Sequence, residues 1–261
     1  MPIITICYAN YNRAAYPYNH PPWQNCHHVF KGNYCNNCGQ SAETHRINAH
    51  FLWHDIQHGL FHFDKGILYS FKQLFTRPGN SVREFIEGKR VKHFKPISLV
   101  VILATLYGLL YHYFKIDFYV ENTDPVIDYK AFNEWMSTHF SWTTIATIPI
   151  FTVGTYVCFR KQGYNFVEYF VLNTFKASQR LFAHLIAFPL LYYFNGTPKM
   201  AIIVKVLYVI DLLLIFWTNM EFFNKLKKTK VFLLSLLSYL IYLVIFIIIL
   251  ILILIFEIAL K

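Results

Sequence analysis

The chain has 261 residues, of which 56% are hydrophobic, 19% aromatic and only 15% charged. The apolar share is higher and the charged share lower than soluble domains carry, which excludes an ordinary water-soluble globule. The net charge of +10 would suit nucleic acid, but membrane-length apolar segments make orientation in a bilayer the better reason for the excess of Lys and Arg. Residues 1–22 are rich in Asn, Tyr and Pro without periodicity and are expected to form a flexible tail. They hold an apolar patch but no basic leader, so no signal peptide is expected.

Three of the five cysteines, Cys26, Cys35 and Cys38, lie close together in WQNCHHVFKGNYCNNCGQ (23–40). Such spacing fits a metal site or free thiols, not a disulfide framework. Cys35-x2-Cys38-Gly39 is one knuckle: two thiolates on a tight turn that glycine relieves. Structural zinc takes four ligands. We expect Cys26, Cys35 and Cys38 to hold one zinc, with His27 or His28 as the fourth ligand. The alternative is a decayed ribbon that packs Tyr34 and Phe30 without metal.

Residues 45–75 read as two amphipathic helices. In the first, His50, His54, His58 and His62 recur every four residues, so neighbours share a face. His54-Asp55-Ile56-Gln57-His58 has the spacing of the His-Glu-x-x-His zinc-hydrolase motif. Asp is one methylene short of Glu, and no third ligand is indicated. The wide apolar face of Phe51, Leu52, Trp53, Ile56, Leu60 and Phe61 suits a wet membrane interface better. The second helix carries Phe63, Ile67, Leu68, Phe71, Leu74 and Phe75 at helical spacing.

The hinge, TRPGNSVREFIEGKRVKHFKP (76–96), joins this polar third to the apolar remainder. Pro78-Gly79 is a turn signal. Ser81 and Glu84 have capping-box spacing, Arg83 and Glu87 form an i,i+4 pair, Gly88 is a stop and Pro96 suits the first turn of the next helix. Lys89, Arg90, Lys92 and Lys95 form a basic cluster expected to lie on anionic headgroups.

CNNCGQ (35–40), FDKGILYSFKQLFTRPG (63–79) and EFIEGKRVKHFKPIS (84–98) resemble the bacterial membrane family called domain of unknown function 3667. The resemblance implies a short zinc-ribbon-like segment, a hinge and several membrane helices, but no activity. In that family's pattern a second Cys-x2-Cys pair lies upstream. Cys26 matches its second member, while Trp23 stands at the first.

From Ile97 onward the chain reads as spans near 97–115, 141–159, 175–194, 200–219 and 231–256. An acidic loop (116–140), with a short helix after Pro125, follows the first span. The second carries Pro149, a kink site. Residues 165–194 read as one long helix, polar at first, and the last span exceeds a ~30 Å hydrocarbon core; a re-entrant or interfacial 165–194 would instead leave four spans and reverse the final topology. The hinge, the Arg160-Lys161 turn and the lysines of 225–230 are basic, while the alternate loops are not. Under the positive-inside rule the N-terminus is then cytoplasmic and the C-terminus outside the inner membrane. Charges at membrane depth seek partners in the bundle, so Asp211 is paired with Arg180 or His184. Phosphate loops and nucleophile elbows are missing from the sequence.

The expected fold is an all-α polytopic membrane protein of about five transmembrane helices with a cytoplasmic zinc-ribbon-like knuckle and interfacial amphipathic helices. Its parts are 1–22 (tail), 23–42 (knuckle), 43–95 (interfacial helices and hinge) and 96–256 (bundle). The leading functional expectation is a non-enzymatic scaffold that docks a protein partner on its N-terminal region. The alternatives are a small transporter or channel subunit using Asp211, and a membrane metalloenzyme using His54 and His58. No nucleic-acid partner is expected.

Overall fold

The computed structural model describes residues 26, 33–41, 44, 46–53, 66–116 and 129–259. Their regular structure is helical apart from one antiparallel bridge between Tyr34 and Ser41. In order, the helices are α1 (Gly66–Thr76), α2 (Pro78–Ile86), α3 (Pro96–Tyr113), α4 (Tyr129–Phe159), α5 (Phe166–Tyr193), α6 (Lys199–Phe222) and α7 (Lys228–Ala259). A 3-10 turn, Arg160–Gln162, follows α4. Residues 49–53 are also helical.

Local chemistry sets several boundaries. Pro96 begins α3, where its missing N–H is no loss and its φ is already helical. Asn165 accepts from the Glu168 amide, and Glu168 accepts from the Asn165 amide, a reciprocal capping box that opens α5. At the end of α2, Gly88 N–H donates to Phe85 O and Lys89 N–H to Glu84 O. Gly88 has φ +114. This is the Schellman pattern, which favours glycine in its left-handed position.

The hinge departs from two sequence expectations. Helix α2 begins at Pro78, with Arg77 as N-cap and no side-chain cap. Ser81 is therefore inside the helix and buried, and Glu84 instead accepts from Arg77 at 3.0 and 3.1 Å. The proline starts the helix before the serine can cap it. Arg83 does not serve as the expected partner of Glu87. Its Nη1 donates to the carbonyls of Glu221 and Phe222, both at 3.0 Å, so it caps the C-terminus of α6. Gly79 lies against the same place. A Cβ there would overlap Phe222 N and Thr218 O, and its N–H donates to Glu221 Oε2 at 3.1 Å.

Four helices are long and apolar enough to cross a membrane: Pro96–Tyr113, Thr138–Gln162, Lys199–Phe222 and Lys228–Leu252. The expected count was about five. The fifth segment, α5, has the length but not the hydropathy, because it carries Asn173, Lys176, Gln179, Arg180 and His184. It packs against α3, α4 and α6 at the centre of the bundle. Helix α4 starts twelve residues before the expected second span, at Tyr129, so residues 129–140 of the expected acidic loop are helical. Residues 117–128 lie outside the described residues.

The bundle is polar inside and apolar outside. Asn173, Lys176, Ser178 and Gln179 on α5 are buried, while Ile202, Val206, Val209 and Leu213 on α6 and much of the Leu and Ile of α7 are exposed. In water this would leave large apolar patches uncovered. A hydrocarbon surround covers them and makes internal partners necessary for the polar groups.

Candidate functional site

The knuckle is a tight loop. Cys35 N–H donates to Gln40 O at 2.9 Å and Gly39 N–H to Cys35 O at 2.8 Å, with Gly39 at φ +73. This turn sets Cys35 and Cys38 side by side. The Sγ atoms of Cys26, Cys35 and Cys38 all lie within 4.8 Å of one another, and those of Cys26 and Cys35 are 3.5 Å apart. Zn–S bonds of ~2.3 Å at tetrahedral angles require roughly 3.8 Å between sulfurs, so the three thiols fit one metal ion. His27, His28 and Trp23 lie outside the described residues, as do His54 and His58.

The knuckle is tied to the hinge. Gln40 Nε2 donates to Thr44 Oγ1 at 2.6 Å, and Gln40 Oε1 accepts from the Arg90 amide at 3.4 Å. Arg90 places its guanidinium 4.6 Å from the Phe51 ring centre and donates from Nε to Phe85 O. One member of the expected basic cluster thus has an internal task. Lys89 reaches Glu84 at 3.7 Å, and Lys92 is exposed. A few residues on, Arg46 clasps Glu168 with two bonds of 2.8 Å and also donates to Gly163 O. Asn165 Nδ2 donates to Ile47 O at 3.0 Å. The N-terminal segment is therefore fastened to the start of α5. Sequence reading missed this pair, because nothing local links residues so far apart.

A second site lies in the bundle. His184 Nε2 stands 3.2 Å from both carboxylate oxygens of Asp211. Of the two expected partners of Asp211, the imidazole is the one in contact. Arg180, one turn before His184 on the same face of α5, has no hydrogen-bond partner for Nε among the described residues. Lys176, a further turn back, is buried. It donates to Asn173 Oδ1 at 2.9 Å and lies 5.7 Å from the Phe151 ring centre.

These groups border empty space. A cavity of about 520 Å³ lies between α4, α5, α6 and α7, with Arg180, His184 and Asp211 in its wall. The rest of the wall is mostly apolar, including Phe140, Ile150, Leu181, Phe246 and Leu250, with Trp135 at one end. A separate void of about 10 Å³ touches Arg180, Lys176 and Asn173, close to the room one water needs. Helices α4 and α7 make their close approach at Gly154, where a Cβ would crowd Ser238 O. Along α4 the cavity lies one to five turns beyond that crossing. Its polar members were visible in the sequence as charges inside apolar runs. The space itself was not, because it depends on how two helices diverge.

No curated protein and no solved structure matches the chain. A family model matches the segment that holds α1, α2 and most of the first spanning helix. Residues 64–108 fit the family described as Protein of unknown function (DUF3667), the family that the hinge motifs resemble.

Proposed function

We propose that the chain is a small membrane carrier whose cargo enters the α4–α7 cavity and meets Asp211, His184 and Arg180. The cavity of about 520 Å³ that reaches these groups is the observation that supports this reading over a purely structural scaffold. Ionisable groups inside a membrane bundle that border a cavity are the usual markers of a substrate or ion path. An imidazole against a carboxylate is also a proton donor–acceptor couple, suited to passing one proton as cargo moves. The orientation that goes with this reading follows Lys and Arg: hinge, Arg160-Lys161 and the lysines near 225–230 in the cytoplasm, C-terminus outside the inner membrane. The three thiols would hold one zinc, with a fourth ligand such as His28, and a reducing cytoplasm keeps them available.

A second reading is favoured by one observation. Tyr34 in the knuckle and Trp53 in the helical stretch 49–53 are 66% and 62% exposed. Aromatic side chains left in water next to a rigid loop suit a protein partner on the same cytoplasmic face.

The carrier reading is tested with Thr147→Cys, a substitution in the cavity wall. Intact vesicles of both orientations are treated with a membrane-impermeant thiol reagent, and labelling is read at residue 147 by peptide mass. A carrier exposes this residue to both faces in turn, and Asp211→Asn shifts the ratio. Labelling from one face only, or from neither, would overturn it.

A further inference from the structure

We propose that the α4–α7 cavity binds an amphipathic anion: one hydrocarbon chain ending in a carboxylate or phosphate, held at its charged end by Arg180. This rests on the carrier reading and names the class of its cargo.

Charge is the first argument. Arg180, Lys176 and Asp211 lie within the bundle, and Asp211 is engaged by His184. The ion pairs among the described residues leave Arg180 and Lys176 without a carboxylate. Lys176 is at least bonded to Asn173, whereas Arg180 Nε is buried with nothing to donate to among the described residues. An uncompensated guanidinium at membrane depth is costly, and a buried donor left unmade adds to that cost. Glu168 and Glu221 are committed elsewhere, to Arg46 and to the α2 amides. An anion arriving in the cavity would supply what the described residues do not. Arginine is the side chain whose planar fork matches a carboxylate or phosphate with two parallel bonds.

Shape is the second argument. The cavity is charged at one place and apolar over the rest of its wall. A small hydrated anion would gain nothing from Phe140, Ile150, Phe246 and Leu250. The space is many times the room that one water needs, and it is long enough along α4 to take a hydrocarbon chain with its headgroup. A two-chain lipid would have to leave one chain in the bilayer. Trp135 stands at the end remote from Arg180 along α4, where an amphipathic ring suits a membrane interface.

The test uses the purified full chain in nonionic detergent and radiolabelled dodecyl phosphate as the probe, with binding measured by equilibrium dialysis. Saturable binding near one per chain is expected, displaced by dodecanoate but not by dodecyltrimethylammonium or inorganic phosphate. Arg180→Gln should weaken it at least tenfold and Arg180→Lys less. Ala177→Phe, which fills the cavity and leaves the charge in place, should abolish it. An unchanged affinity in Arg180→Gln, or equal displacement by the cationic amphiphile, would overturn the proposal. Equal displacement by inorganic phosphate would do so too, because the apolar wall would then recognise nothing. Displacement by phosphatidate, with a chain spared in the bilayer, would identify the source as membrane lipid. Failure to displace would identify a single-chain amphiphile. Binding that survives while Thr147→Cys labels from one face only would keep the ligand and sink the carrier.

Discussion

His93 shows how a single ring in the hinge makes the fold sensitive to acid. It packs edge-on against Tyr69, Phe85 and Phe175, with ring centres at 5.0, 5.7 and 6.2 Å. Its Nε2 stands 3.5 Å from Ser81 Oγ. Burial among these rings is the largest influence and pushes its pKa down to about 4; the Glu84 carboxylate pulls it up and Arg77 opposes that. An unfolded histidine titrates near 6.5. Below that value the unfolded chain takes up a proton that the folded chain refuses. The associated stability is therefore complete above about pH 6.5 and is lost as pH falls towards 4. The full shift corresponds to about 3 to 4 kcal/mol at one pKa unit per ~1.4 kcal/mol. Thermal unfolding in detergent should show the wild type losing stability between pH 7 and 4.5 faster than His93→Phe, in which no proton is taken up. Parallel curves for the two proteins would show that the ring is not held neutral.

At the scale of elements, the sequence was most legible where a boundary has a local cause. Pro96, the Gly88 stop, the Asn195–Pro198 loop and the long helix from 166 to 193 all follow from residues within one turn of the boundary. It was least legible where a remote element competes. Ser81 was read as a cap because Ser-x-x-Glu is a local pattern, yet Pro78 and the distant C-terminus of α6 decide where α2 begins and what Arg83 does. The cavity was hidden for the same reason, while its charges stood out against apolar neighbours. The knuckle falls between these cases. Its cysteines were readable from spacing, but its attachment to the hinge through Gln40, Thr44 and Arg90 was not. That attachment makes a prediction about metal. Purified wild type is expected to carry one zinc per chain, and Cys35→Ser/Cys38→Ser none, by elemental analysis under reducing, chelator-free conditions. Because Gln40 follows the knuckle directly, loss of metal should also raise protease cleavage between residues 41 and 53. Wild type without stoichiometric metal would mean that three thiols and a turn are insufficient to hold the ion.

The whole molecule turns on how α5 lies. Hydropathy alone leaves it out, and an even number of crossings would place both termini on one side. Geometry argues for a crossing. Its first residues are fastened to Arg46 and Ile47 beside the hinge, where α6 also ends against Gly79. At its far end, Asn195 Nδ2 donates to Lys115 O, just past the last residue of α3. Twenty-eight residues at 1.5 Å each give about 42 Å, more than the ~30 Å hydrocarbon core. A helix that joins the two ends of α3 spans whatever α3 spans. It tolerates Asn173, Lys176 and Gln179 because the other helices, not lipid, surround it. Gln179 donates to Leu74 O at 2.6 Å and accepts from Thr218 at 2.9 Å, so its amide is satisfied within the protein. With α5 as a fifth crossing, the ends of the chain would lie on opposite sides. A reporter active only outside the cytoplasm, fused after Lys261, should be active, and the same reporter at the N-terminus silent. Activity at both ends or at neither would mean that α5 does not cross, and Arg180 would then lie near a surface, where water could replace an anion as its partner.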